Sequence, residues 1–363
     1  MKLKVVRWSL LLALLINLQA CSSKRPPEWF DPTQAHHLID ADGNVSFRNI
    51  YLNDKDKSFF DFLEMRYFGD ESWAEHSKLA DTVPLQQVDV SRIQQPPDTV
   101  QVTWLGHSTF LIQYQGINIL TDPIFSDRAS PLSFMGPRRY VPHVIDYKQL
   151  PPIDAVVISH SHYDHLDEAT IKQLGNRPTY YVPLGLKTWF VDNGVNETQV
   201  NELDWQQTAI FNQDLRVVAL PSQHWSARSL GDRFATLWAS WGLVFSDFTL
   251  WFAGDTGYHS ELFKPIGTQL GVIDLALIPI GAYAPRWFMQ DYHVNPEEAV
   301  KIHDDIGAKQ SIGMHWGTFP LTAEPPIEPQ QRLYQVMQAR QEALHNFITI
   351  DLGESYLVMD KAH

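Results

Sequence analysis

The sequence predicts a layered α/β fold that carries its chemistry at the ends of strands. Three observations predict it. Segments of strand length, either alternating or fully apolar, recur from residue 100 to residue 279, interrupted by loops and a helix-like stretch. Side chains able to ligate a metal (His160, His162, His224, Asp255 and His315) each stand just beyond such a segment. The chain has 363 residues, 44% hydrophobic and 19% charged, a globular composition long enough for a large core.

The N-terminus comes first. Lys2, Lys4 and Arg7 precede an apolar run over residues 9–18, and small residues then lead to Cys21. This is the layout of an export signal. The run is short for a membrane span, which needs roughly 20 apolar residues. Leu18-Gln19-Ala20-Cys21 resembles a bacterial lipoprotein cleavage box. That resemblance implies removal of residues 1–20, lipidation of Cys21 and attachment to a membrane of the cell envelope. Ser22 stands where an aspartate would favour the inner membrane, so the outer membrane is the expected destination. An ordinary cleaved signal with an incidental cysteine is the alternative. Cys21 is the only cysteine, which excludes an internal disulfide and a spare thiolate ligand.

Residues 21–98 read as an N-terminal extension packing on a core domain of residues 99–363. Within the extension, Phe59, Phe60, Leu63 and Met65 form an apolar stripe at helical spacing. From residue 100 the period changes. Residues 100–105 alternate like a strand; 110–114 and 117–120 read as two more, with Gly116 in the turn between them. Residues 155–158 are a short apolar strand, followed by a His-rich loop and a helix over 167–174. Residues 180–182, 215–220, 250–253 and 275–279 continue the strands. Residues 296–306 read as a helix, with Pro296 at its start and Gly307 past its end. A net charge of −14 without a long basic run excludes binding to a nucleic-acid backbone.

The chemistry concentrates in His160-Ser161-His162-Tyr163-Asp164-His165. In an extended segment, side chains two apart point the same way, so His160 and His162 can reach one metal. Asp164 and His165 lie where the chain turns into the next helix, facing a neighbouring position. Imidazole with carboxylate suits zinc, and also manganese or iron. A solvated polar loop is the bland alternative; a lone histidine would fit it, whereas four potential ligands in six residues after an apolar strand do not. His224, Asp255 and His315, each placed after a further strand, extend the set.

His160-Ser161-His162-Tyr163-Asp164-His165 resembles the HxHxDH signature of the metallo-β-lactamase superfamily. The segments Trp104-Leu105-Gly106-His107-Ser108-Thr109, Thr121-Asp122-Pro123-Ile124-Phe125-Ser126, Gly136-Pro137-Arg138-Arg139-Tyr140, Gln223-His224-Trp225-Ser226, Gly254-Asp255-Thr256-Gly257-Tyr258, His293-Val294-Asn295-Pro296-Glu297-Glu298-Ala299 and Met314-His315-Trp316-Gly317-Thr318-Phe319 look like the N-acylphosphatidylethanolamine-hydrolysing phospholipase D family. The resemblance covers about residues 100–357. It implies a four-layer αββα sandwich and two Zn2+ ions, with Mn2+ or Fe2+ as alternatives. His160, His162 and His224 would hold one ion; Asp164, His165 and His315 the other; Asp255 would bridge them. Asp122 and His107 would orient ligands. The implied reaction is metal-assisted hydrolysis of a phospholipid to an N-acylethanolamine and a phosphatidic acid. Asp164, as a proton acceptor, and His293, as an acid or phosphate-binding group, are the implied catalytic residues. Trp225, Tyr283, Trp287, Phe288 and Met289 are candidates for an acyl groove, and Arg138 or Arg139 for a phosphate contact. Two other readings stay open: a related hydrolase of a small ester, lactone or phosphodiester, and a non-catalytic lipid-anchored binding lipoprotein. A homodimer also stays open.

Overall fold

The computed structural model describes residues 26–52, 57, 59–340 and 346–358. The export signal and Cys21 lie outside the described residues. The extension opens with an antiparallel pair, β1 (His37–Ile39) and β2 (Val45–Phe47). A short helix α1 (Phe59–Leu63) runs into a π-helical turn over Glu64–Phe68. The turn breaks the spacing of the predicted stripe: Met65 is buried, but Phe60 is 78% exposed. The stripe is therefore not a core-facing one. Helix α2 (Val90–Gln94) begins at Asp89, whose side chain accepts from the Arg92 N–H. Phe47, Val83, Val88 and Ile93 of the extension are buried in the same apolar cluster as the domain that follows.

Strands β3 (Gln101–Gly106), β4 (Thr109–Tyr114) and β5 (Ile117–Thr121) form an antiparallel meander. The chain then adds β6 (Ala155–Val157), β7 (Thr179–Pro183) and β8 (Val200–Leu203) in parallel. Parallel neighbours need crossovers, here supplied by α3 (Glu168–Leu174) and α4 (Lys187–Asp192). The second sheet repeats the plan. Strands β9 (Thr208–Ile210), β10 (Leu215–Leu220), β11 (Ser240–Phe245) and β12 (Thr249–Phe252) pair antiparallel. Strands β13 (Ile273–Pro279), β14 (Ala308–Met314) and β15 (Phe347–Ile348) then follow in parallel. Their crossovers carry α5 (Phe263–Leu270), α6 (Arg286–Met289), α7 (Pro296–Ile306) and α8 (Glu328–Ala339). Strand β16 (Ser355–Leu357) returns to pair with β3. The result is two seven-stranded sheets flanked by helices, an αββα sandwich.

Register brings the chemistry to one edge. In the first sheet Thr121 faces Val157, so the residues after β5 and β6 emerge together. In the second, Leu220 faces Ser240, Trp241 faces Phe252, Phe252 faces Leu277, and Leu277 faces Ile312. The ends of β10, β12, β13 and β14 are thus level. The two edges are joined: the Trp241 Nε1–H donates to the Ile158 carbonyl at 2.9 Å, and the Ala239 N–H to the Ser159 carbonyl at 2.8 Å.

Candidate metal centre

Each ligand side chain follows a strand that can go no further. His160 comes three residues after β6, His224 four after β10, Asp255 three after β12, and His315 directly after β14. His107 occupies the tight turn between β3 and β4 at φ 54°, and His315 stands at φ 62°. The two turns are bolted together, since the His315 N–H donates to the His107 carbonyl at 3.1 Å and the His107 N–H to Thr318 Oγ1 at 2.9 Å.

Three ring nitrogens meet in the first group. His160 Nε2 lies 2.8 Å from His162 Nδ1, and His224 Nε2 lies 3.2 Å from it. The outer nitrogens explain why these atoms face one another. Ser159 Oγ donates to Asp122 Oδ2 at 2.5 Å, so it accepts from the His160 Nδ1–H at 2.8 Å. The His224 Nδ1–H donates to the Tyr292 carbonyl at 3.0 Å. Both rings therefore present Nε2 lone pairs inward, toward His162 Nδ1, the orientation a metal ligand needs. Zinc held by nitrogen at about 2.0–2.1 Å sets neighbouring ligands roughly 3.3 Å apart, close to the separations here.

The second group gathers on Asp164. Its Oδ2 is 2.8 Å from His107 Nε2, 3.2 Å from His165 Nε2 and 3.5 Å from His315 Nε2. Asp255 Oδ2 lies 3.2 Å from His165 Nε2, 3.1 Å from His315 Nε2 and 3.8 Å from His224 Nε2, so it touches both groups. Asp122 is fully buried and ties the groups from behind. It accepts from the His165 Nδ1–H at 2.7 Å and from the Ser159 N–H at 2.6 Å. His293 stands beside them, with Nδ1 3.8 Å from Asp255 Oδ2 and its ring 5.1 Å from that of His224. Asp255 Oδ1, His293 Nδ1 and both ring nitrogens of His315 are buried without a hydrogen-bond partner. Orphaned polar atoms in this number are expensive in a native fold, and cations at the centre would satisfy those that face it, such as His315 Nε2, which lies beside Asp164 and Asp255. The donor set fits the two metals.

The electrostatics divide the histidines. Burial, reinforced by neighbouring imidazoles, holds His160 well below its usual value and takes His224 to about 3; burial also takes His162 to about 3. These rings are neutral and ready to ligate. Burial opposes charge on His165 and His315 too, but Asp255 and Asp164 overcome it, raising His165 well above 6.5 and His315 to about 9. Asp255 and Asp164 are held well below the usual carboxylate range; His165 is the main lowering influence against burial in each.

The sequence-predicted ligands and both candidate catalytic residues thus stand together. Among the candidate groove residues, Trp225 is at the site, its ring 4.3 Å from that of His162. Trp287 is exposed, and Phe288 and Met289 are half-buried. Tyr283 departs from the expectation: it is buried, and its hydroxyl donates to Glu328 at 2.7 Å. Arg139 is also turned inward, with Nη2 donating to the Ile124 carbonyl at 3.0 Å and the guanidinium over the Phe319 ring, while Arg138 is exposed. Sequence reasoning missed Ser159, which links His160 to Asp122, 37 positions away, and the Tyr292 carbonyl and Asn49, which meet His224 from 68 and 175 positions away. A further group, His36, His37 and Asp204, is buried away from the centre. His37 Nδ1 accepts from the Asp31 N–H at 3.1 Å. Its proton is therefore on Nε2, 3.1 Å from Asp204 Oδ2, and His36 Nε2 is hydrogen-bonded to Asp204 Oδ1 at 2.7 Å, so neither nitrogen of His37 is left bare for a metal and the trio reads as an anchor.

Residues 117–316, more than half of the chain, match the family model described as the beta-lactamase superfamily domain. The chain belongs to the metallo-β-lactamase superfamily. Within it, the N-acyl-phosphatidylethanolamine-hydrolyzing phospholipase D 1 of Caenorhabditis elegans is 42% identical over 270 residues, covering 71% of this chain and 76% of the relative. The mitochondrial N-acyl-phosphatidylethanolamine-hydrolyzing phospholipase D of Saccharomyces cerevisiae is 38% identical over 238 residues, covering 64% and 50%. Among solved structures, an isothiocyanate hydrolase from Delia radicum gut bacteria superposes with a TM-score of 0.57 at 17% identity, covering 70% of this chain and 98% of that one. At that identity it speaks for the metallo-β-lactamase fold alone. Family, relatives and ligand groups together make this superfamily member a metal-dependent hydrolase.

Proposed function

We propose that the chain is a two-zinc phosphodiesterase that cleaves N-acylphosphatidylethanolamine-type phospholipids to an N-acylethanolamine and a phosphatidic acid. The observation that carries the reading is Asp255 Oδ2, within 3.2 Å of His165 and His315 and 3.8 Å of His224, one oxygen shared by two ligand groups. Similarity to enzymes named for this lipid supplies the substrate class. Metals bound at such a centre lower the pKa of water and offset charge on the phosphoryl oxygens. The protein's own groups do the rest. His160, His162 and His224 would hold one ion and Asp164, His165 and His315 the other, with Asp255 within reach of both groups. Asp164 is a weak base, because His165 and the hydrogen bond from His107 stabilise its carboxylate. It serves as ligand, which leaves proton movement to His293. That imidazole is held neutral by burial, and its Nδ1 is unpartnered at the centre. A neutral ring there can accept the proton that the attacking water gives up and pass it to the alkoxide oxygen of the leaving N-acylethanolamine as the P–O bond breaks, or donate an N–H hydrogen bond to a phosphoryl oxygen. Trp225, beside His162, offers an apolar wall to an acyl chain.

The purified protein, analysed for metal and incubated with N-acylphosphatidylethanolamine in mixed micelles, is expected to hold two ions per chain and release N-acylethanolamine. The His162→Ala protein is expected to release none. An intact lipid with a fully loaded protein, alongside turnover of a small ester or lactone, would shift the reading to the related hydrolases. The proposal includes place: lipid on Cys21 tethers the chain to the cell envelope, in the outer membrane. The Cys21→Ser protein should leave the membrane fraction, and if it stays there the anchor is not Cys21.

A further inference from the structure

One side chain of the N-terminal extension reaches the centre. Asn49 follows β2 by two residues and is 4% exposed. Its Nδ2–H donates to the His224 carbonyl at 2.8 Å, and its Oδ1 accepts from the His224 N–H at 3.1 Å. A single amide thus grips both main-chain polar groups of a ligand residue, as a neighbouring strand would. The grip falls where the sheet no longer provides one, since β10 ends at Leu220 and His224 lies in the loop beyond. With the main chain held by Asn49 and Nδ1 held by the Tyr292 carbonyl, the ring has little freedom, and its Nε2 is aimed at His162 Nδ1.

The grip has its own foundation. Phe47, two residues before Asn49, is 1% exposed in the core, and its N–H donates to the Phe234 carbonyl at 2.9 Å. His36 and His37 fasten the start of the same segment to Asp204 at 2.7 and 3.1 Å. Asn49 is therefore positioned by the burial of Phe47 and the anchor at Asp204, and by a second point of the β10–β11 loop, Phe234, ten residues beyond the one it holds.

We propose that Asn49 is a positioning residue for the metal centre, setting the affinity of the His160–His162–His224 group for its cation by fixing the His224 main chain. The inference rests on the metal-centre reading above. It makes a segment outside the matched superfamily domain, which begins at residue 117, part of the centre. Groups that orient metal ligands from behind typically change affinity by about 10- to 100-fold when removed, because the ligand must otherwise be ordered as the ion binds.

The test uses the full chain, compared with Asn49→Ala, Asn49→Asp and Arg48→Ala, the last altering an exposed neighbour whose guanidinium donates to the Ala35 carbonyl. Zinc per chain and both zinc dissociation constants are measured against a competing chelator, and the melting temperature of each metal-free form is recorded. The expected result is two ions in the parent and in Arg48→Ala. In Asn49→Ala one dissociation constant rises about 10- to 100-fold while the other holds. Asn49→Asp, which sets an oxygen against the His224 carbonyl, weakens the same ion. Should Asn49→Ala not fold, the titration of Asn49→Asp decides. Unchanged constants, or equal weakening of both ions together with a lower metal-free melting temperature, would overturn the inference and leave the metal centre standing. A parent chain that binds no zinc would overturn both.

Discussion

At the scale of residues, the centre is governed by what stands behind the ligands. Asp122 is the strongest case. One buried carboxylate holds the His165 ring directly and the His160 ring through Ser159 Oγ. Replacing it with alanine leaves both imidazoles free to choose the wrong tautomer. The Asp122→Ala protein is expected to bind metal about 10- to 100-fold more weakly; chelator competition against the parent would reveal this, and equal affinity would remove Asp122 from the centre's design. Such a role was readable only in part. Asp122 in a Thr-Asp-Pro segment is an ordinary turn residue by sequence, and nothing local says that His165, 43 positions on, will meet it.

At the scale of elements, helix α7 fixes His293. Asn295 caps the helix: its side chain accepts from the Glu298 N–H, while the Glu298 carboxylate accepts from the Asn295 N–H. Arg286 adds a clamp, donating to the His293 carbonyl at 2.8 Å and to Glu298. The His-Val-Asn-Pro-Glu-Glu run announced this helix, because Pro at the first turn, acidic residues after it and Gly307 beyond its end are chemical signals at fixed offsets. The Asn295→Ala protein should lose about 1 kcal/mol, read as a lower urea midpoint. It should also lose turnover beyond its loss of stability, since the cap sits two residues from His293; full turnover would detach the cap from the site. Strand β11 shows the opposite case. Ser-Trp-Gly-Leu-Val-Phe is covered on both faces, so it lacks the alternation that marks a half-buried strand. The stripe at residues 59–65 had the right spacing, but a π-helical turn from Glu64 changes the residues per turn before Met65, which is buried while Phe60 is exposed.

At the scale of the whole molecule, stability and metal are linked. In the metal-free protein His315 is held at about 9, against a usual 6.5, by Asp255 and Asp164. Raised histidines contribute stability that is full below 6.5 and is lost as pH rises through about 9. Burial depresses His162 and His224 to about 3, so these disfavour the fold as pH falls below 6.5. Metal bound to the His165 and His315 lone pairs replaces their protons, and the alkaline loss should vanish. Melts of chelated and reloaded protein from about pH 6 to about pH 10 would display it, and parallel profiles would refute it. Near neutral pH, free zinc at about 100 times its dissociation constant should add roughly 2.7 kcal/mol.

The sequence by itself determined the α/β class, most strand positions in the core domain and the candidate ligands that the fold gathers, because strand period, helix-end chemistry and ligand spacing are local properties of the chain. Only the tertiary structure decided how Asp255 spans two groups, how Asp122 and Ser159 set the tautomers, and how Asn49 enters from the extension. Those arrangements depend on the level register of distant strands and on the bonds joining the two sheet edges at Ile158 and Ser159. The contacts of Asp122 with Ser159 and of Asn49 with His224 join residues 37 and 175 positions apart, and no local pattern encodes a distance of that kind.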